Sequence, residues 1–260
     1  MFRAIRGQRV HTASFGSGDR VLVGVSGAFG TWEVWQQPFE LLSSRWRTIG
    51  YDHFGVGQTR VAPDIVTFED QVLLLDGILD TFGVDRCVLA GDSNNTAVAL
   101  EVALRWPTRV DALVLVSGAV DFSPTPDIRR FVEGLRSAFD TTLDAFVDLC
   151  MPEDDVGHLR AWLRDIIART GGERAARLVE SFYEVDVRGK LGAVEVPTLV
   201  VHGALDVLPT STLAAAEELA ATIPEAELVV LPDAGHVPTL SRPEAVVDAV
   251  EAFVGTRGSA

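Results

Sequence analysis

A serine held between an apolar strand and an alanine-rich helix is placed to act as a nucleophile, and Ser93 stands at such a corner. The run Val88-Leu89-Ala90-Gly91-Asp92-Ser93-Asn94-Asn95-Thr96-Ala97-Val98 passes from strand-like to helix-like residues around it. A tight turn there would expose the Ser93 hydroxyl at the carboxyl end of the strand. It would also set the Asn94 amide at the amino end of the helix, where free N–H groups hold a negative oxygen. The five residues taken alone also describe an ordinary strand-to-helix turn, and Asn95 replaces the last glycine of the G-x-S-x-G pattern. What a hydroxyl nucleophile needs besides is a base to take its proton and a carboxylate to orient that base. Pro197–His202 reads as an apolar strand with Asp206 in the loop after it, and Glu227–Leu231 as another with His236 beyond it. Both groups then share the sheet edge that carries Ser93, and the set Ser93, Asp206, His236 is the expected catalytic triad.

The elements that must position these residues alternate. Strands are expected near 9–15, 20–25, 46–51, 86–90, 110–116, 197–202 and 226–231, and helices near 32–44, 67–82, 94–106, 211–222 and 242–254. Such alternation predicts an α/β fold, a mostly parallel central sheet covered by helices on both faces. Pro107 stops the helix after Ser93, and Pro243 suits the first turn of the last helix. Between Ser117 and Lys190 the strands lapse. Leu159, Trp162, Leu163, Ile166 and Ile167 recur at helical spacing, as do Phe131, Leu135 and Phe139. Four helices there would make a cap over residues 121–188, inserted into a core of residues 1–120 and 189–260, with Pro124, Pro126 and Gly189 at its hinges. Some of Phe131, Phe139, Phe146, Trp162, Phe182 and Tyr183 should line a pocket beneath it.

Over nearly its whole length the chain resembles the α/β-hydrolase superfamily, on the Ser93, Asp206 and His236 segments in that order. The shorter stretches Phe29-Gly30-Thr31, Tyr51-Asp52, Asp186–Leu191 and Gly235-His236 resemble its small esterase, lactonase and strigolactone-receptor-like branch. The resemblance implies an ester or lactone hydrolase that works through an acyl-enzyme on a small to medium apolar molecule. It also implies an oxyanion hole from the amides of Asn94 and Ala28, the latter because relatives carry His-Gly followed by the donor and this chain has Ser26-Gly27-Ala28. Phe29, Trp32, Asn95, Phe122 and Val237 are the expected substrate contacts, whereas Trp35 is expected in the core. Asp92 stands where many relatives have histidine, and strand alternation is expected to turn it away from the pocket. Asp121 competes with Asp206 as the acid, since some members place it there. His202 and His53 are expected to be structural, and His11 and His158 have no supporting context. Two other readings stay open: a ligand receptor with slow residual hydrolysis, and a cofactor-free lyase or oxygenase in which His236 acts on the substrate directly.

Composition narrows the remaining classes. The 260 residues suffice for a large single core. A net charge of −15 argues against nucleic acid or an anionic membrane as partner, since both need basic surface. Lys190 is the only lysine, which speaks against Schiff-base chemistry. Phosphate-loop and dinucleotide fingerprints are absent, and five histidines lie scattered without metal-ligand spacing. Neither cofactor nor metal is therefore expected, and the partner is a small-molecule substrate, with the oligomeric state open. No run of about 18 apolar residues and no signal-peptide pattern is present. Two cysteines, Cys87 and Cys150, form no disulfide framework and are expected as buried thiols in the cytoplasm.

Overall fold

The computed structural model describes residues 1–257. Its strands are β1 (Phe2–Ile5), β2 (Gln8–Phe15), β3 (Arg20–Val25), β4 (Trp46–Tyr51), β5 (Cys87–Asp92), β6 (Val110–Val116), β7 (Thr198–Gly203) and β8 (Ala226–Leu231). They form one sheet in the order β1-β2-β4-β3-β5-β6-β7-β8, antiparallel at the β1–β2 and β2–β4 pairs and parallel from β4 to β8. Strand β1 is an addition to the expected set. It pairs with β2 through the two-residue turn Arg6-Gly7, where φ is 49° and 75°. Two positive φ values make a hairpin whose twist suits the strands, but arginine at the first position carries none of the usual Asn-Gly signal.

The helices are α1 (Gln36–Leu42), α2 (Phe68–Thr81), α3 (Thr96–Arg105), α4 (Pro126–Ser137), α5 (Phe139–Cys150), α6 (Gly157–Ala168), α7 (Gly172–Glu180), α8 (Leu213–Thr222), α9 (Pro238–Ser241) and α10 (Pro243–Arg257). Local chemistry sets several of their starts. Thr67 and Asp70 form a reciprocal capping box at α2, Thr125 caps α4 one residue before Pro126, and Thr212 caps α8. Helices α4 to α7 all fall between β6 and β7, beside the carboxyl ends of the strands.

Every residue of β5 and β7 is buried, as parallel strands covered on both faces require. One core cluster gathers Val23, Val25, Leu89, Leu113, Leu115 and Val200 with α2, α3 and the inserted helices. The other gathers Leu22, Val88, Val114, Val116 and Val201 with Trp35, Phe39 and α10. Trp35 is therefore core, and Cys87 and Cys150 are buried free thiols. Among the described residues no helix is long and apolar enough to cross a membrane.

Candidate active site

The turn after β5 is built by a close approach. A Cβ at Gly91 would lie 2.7 Å from the Asn95 carbonyl oxygen and 2.9 Å from Thr96 Cα, so only glycine lets the start of the next helix sit on the strand. Ser93 follows with φ at +54°, a left-handed conformation that costs about 1–3 kcal/mol in a residue with a side chain. The Thr96 hydroxyl holds the turn by donating to the Ser93 carbonyl at 2.6 Å. The result is a half-buried serine raised at the sheet edge.

His236 Nε2 lies 2.9 Å from Ser93 Oγ, and Nδ1 lies 2.7 Å from Asp206 Oδ2. Asp206 also accepts from the Leu208 amide at 3.0 Å and from the Ser211 hydroxyl at 2.9 Å. Burial raises its carboxyl, but the neighbouring His236, these donors and their hydrogen bonds outweigh it and hold the group below the ordinary carboxylate range. Burial in turn lowers the His236 imidazole, and the charge and hydrogen bond of Asp206 more than reverse that, leaving it above its ordinary value. One nitrogen thus keeps its proton toward Asp206 while the other faces the serine. The histidine loop packs directly on the end of β7: a Cβ at Gly203 would meet the Gly235 carbonyl oxygen at 2.1 Å. Asp121 lies elsewhere, exposed, with Oδ1 accepting the Ser123 amide at 2.8 Å.

A cavity of about 730 Å³ opens over Ser93 between the sheet edge and the inserted helices. Ala28, Asn94, Phe29, Phe122 and Val237 line it, as do Phe131, Phe146, Phe182 and Tyr183. The walls are largely apolar, with Phe29, Phe131 and Phe146 in mutual ring contact at 5.2–6.2 Å. Phe139 and Trp162 are not among the lining residues but pack on the core.

Three expectations are corrected here. Trp32 turns away from the cavity: its amide donates to Asp52 Oδ1 at 3.2 Å and its ring meets Phe15 at 5.7 Å. The segment Trp32–Trp35 is a 3-10 turn rather than the first turn of an α-helix, which rotates the face that Trp32 presents. Asn95 does not line the cavity either. Its buried Nδ2 donates to the Ser26 carbonyl at 2.6 Å and ties the Ser93 turn to the loop after β3. Asp92 departs in the opposite sense, lining the cavity while only 3% exposed, because a strand buried on both faces offers no solvent side to which alternation could send it.

Two histidines expected to be structural are buried near the site. His53 is fully buried and pushed down to about 4 by that burial, so it is neutral, and its Nε2 lies 3.2 Å from the Gly27 carbonyl of the loop after β3. His202 lies buried within β7, and burial lowers its imidazole too. The inserted helices grip the histidine loop: the Cys150 carbonyl accepts from the His236 amide at 2.8 Å, and Glu153 Oε1 accepts from the Gly235 amide at 2.7 Å.

A family profile described as the alpha/beta hydrolase family matches residues 21–249. A pimeloyl-[acyl-carrier protein] methyl ester esterase from Nitrosomonas europaea is 31% identical over 234 residues, covering 85% of this chain and 90% of that protein. Among solved structures, an esterase from Exiguobacterium antarcticum superposes with a TM-score of 0.91 at 18% identity, covering 98% of this chain and 99% of its own. The enol-lactonase from Burkholderia xenovorans LB400 gives 0.88 at 24% identity, covering 98% and 100%. At such identities the structural likeness speaks for the fold.

Proposed function

Because the chain belongs to the alpha/beta hydrolase family, we propose that it is a serine hydrolase that cleaves an ester or lactone of a small to medium apolar molecule. The observation that carries this reading is the unbroken contact Ser93–His236–Asp206 beside a largely apolar cavity. His236 takes the Ser93 proton as Oγ attacks the carbonyl carbon. The tetrahedral oxyanion rests on the amides of Ala28 and Asn94, and collapse expels the alcohol, which receives the proton from His236. Water activated by the same histidine then attacks the acyl-enzyme and frees Ser93. Residues 121–188 serve as a cap that walls the substrate from solvent.

A cavity of about 730 Å³ falls within the usual range for small-molecule sites. The relative named as a pimeloyl-[acyl-carrier protein] methyl ester esterase supports a carboxylic ester as the substrate class. The test is a panel of short-chain nitrophenyl esters and aryl lactones, with wild type beside Ser93→Ala. Turnover should vanish in the variant, and an organophosphonate should label the wild type at Ser93 alone. Retained turnover, or labelling elsewhere, overturns the assignment. A single ligand cleaved per molecule, with lasting modification, would mark a receptor instead.

A further inference from the structure

Asp92 is a buried carboxyl on the cavity wall that the chemistry of Ser93, His236 and Asp206 does not use. The other charged residues lining the cavity are accounted for. Asp127 and Arg130 are exposed and pair with each other at 2.9 Å, and His236 is engaged with Asp206 and Ser93. Asp92 Oδ1 is sealed without a hydrogen-bond partner, which leaves Oδ2, beside the Gly27 backbone, as the oxygen that can meet a substrate. Its cavity neighbours Ala28, Phe29, Phe122 and Val237 bring no compensating charge. An ionised carboxyl would be repelled by the Asp206 carboxylate and by the oxyanion that must form on the adjoining amides. A proton removes the conflict and turns the acid into a hydrogen-bond donor, as in enzymes that keep a buried carboxylic acid neutral to bind oxygen.

Building on the serine-hydrolase reading above, we propose that Asp92 is a specificity-determining residue that donates a hydrogen bond from its protonated carboxyl to a substrate oxygen close to the scissile carbonyl. Preferred substrates are then esters or lactones with an oxo or hydroxyl group near the reacting bond. Plain alkanoyl esters lack the acceptor, and an acyl carboxylate there is accepted by protonated Asp92 and repelled once Asp92 ionises above about pH 7.

The electrostatics support the protonated form. Burial pushes the Asp92 carboxyl up to about 7, with Asp206 adding to the rise and His236 and the amides of Gly27 and Ser93 opposing it. The groups facing it are His236, Asp206 and, from α5, the Cys150 thiol, which burial and the nearby carboxylates hold neutral. Above about pH 7 Asp92 loses its proton, the donor disappears, and the new anion opposes the oxyanion, so the rate falls. On the acid side the rate rises as His236 becomes neutral.

The experiment compares nitrophenyl esters of butanoic acid, 3-oxobutanoic acid and succinic acid, each normalised to its own alkaline hydrolysis. Wild type, Asp92→Asn, Asp92→Leu and Ser93→Ala are measured across pH 5 to 9. The 3-oxobutanoyl ester should lead the butanoyl ester in wild type, and the succinyl ester should lose rate more steeply than either as Asp92 ionises above about pH 7. Asp92→Leu should reduce the preference for the oxo ester by about three- to tenfold, the worth of one hydrogen bond. Asp92→Asn keeps a donor without the charge, so it should retain that preference and lose the alkaline fall. Phosphonate labelling of Ser93 in each Asp92 variant checks that the site still assembles. An unchanged oxo preference in Asp92→Leu, or an alkaline fall that survives in Asp92→Asn, overturns the proposal. If Ser93→Ala matched the wild type on all three esters, the serine-hydrolase reading itself would fall, an outcome separate from the first.

Discussion

At the scale of single residues, two aspartates were open as the orienting acid, and the fold brings only Asp206 to His236. Asp206→Asn should cut the rate by about 10⁴ through loss of the correct imidazole tautomer, while Asp121→Asn should change it little. Single-turnover rates with a nitrophenyl ester decide this, and a larger loss in Asp121→Asn would reverse the assignment. The Asp206 carboxyl is held below its unfolded value, so its contribution to stability is present at neutral pH and fades as pH falls through the folded value. Asp92 has the opposite sign. Its folded-state group lies at about 7, above the unfolded carboxyl, so any contribution is full in acid and lost as pH rises through 7. Its inward direction could not be read from the strand pattern, because alternation reports a solvent face and β5 has none.

At the scale of elements, the sequence carried most of the layout. The apolar runs located seven of the strands, and Pro107 and Pro243 marked helix ends. What it could not carry was how neighbouring loops fasten to one another. Asn95 breaks the family pattern, and only the folded chain shows what it does there: its side-chain amide donates to the backbone carbonyl of Ser26. Trp32 illustrates the same limit: a 3-10 turn and an α-helix share their first few residues in sequence but point side chains differently. The Asn95 bond sets an expected outcome. Asn95→Gly should lower the melting temperature, reflecting about 1–3 kcal/mol from an unpaired buried carbonyl at Ser26. It should also slow all acyl groups alike, because the displaced loop carries the Ala28 amide. A shift in selectivity among acyl groups with an unchanged melting temperature would instead place the side chain in contact with substrate.

At the scale of the whole molecule, the inserted helices hold together largely among themselves. Arg136 joins α4 to α7 through Glu173 and Glu180, and Arg164 joins α6 to α5 through Asp140 and Asp144. Exposed pairs of this kind are each worth no more than about 1 kcal/mol, so the apolar interior of this unit carries most of its cohesion. Its attachment to the sheet is more pointed. Arg169 pairs with Glu33 near one end, and at the other the Cys150 carbonyl and the Glu153 carboxylate take the amides of His236 and Gly235. The His236 amide proton is therefore a built-in clock for the molecule. It can exchange with deuterated water only when the end of α5 lets go, so its exchange rate counts those partings directly. Deleting the Gly235 anchor with Glu153→Ala should hasten that exchange by about tenfold, and a phosphonate bound at Ser93 should slow it. If neither shifts the rate, the partings that admit substrate occur at the far end, where Arg169 meets Glu33.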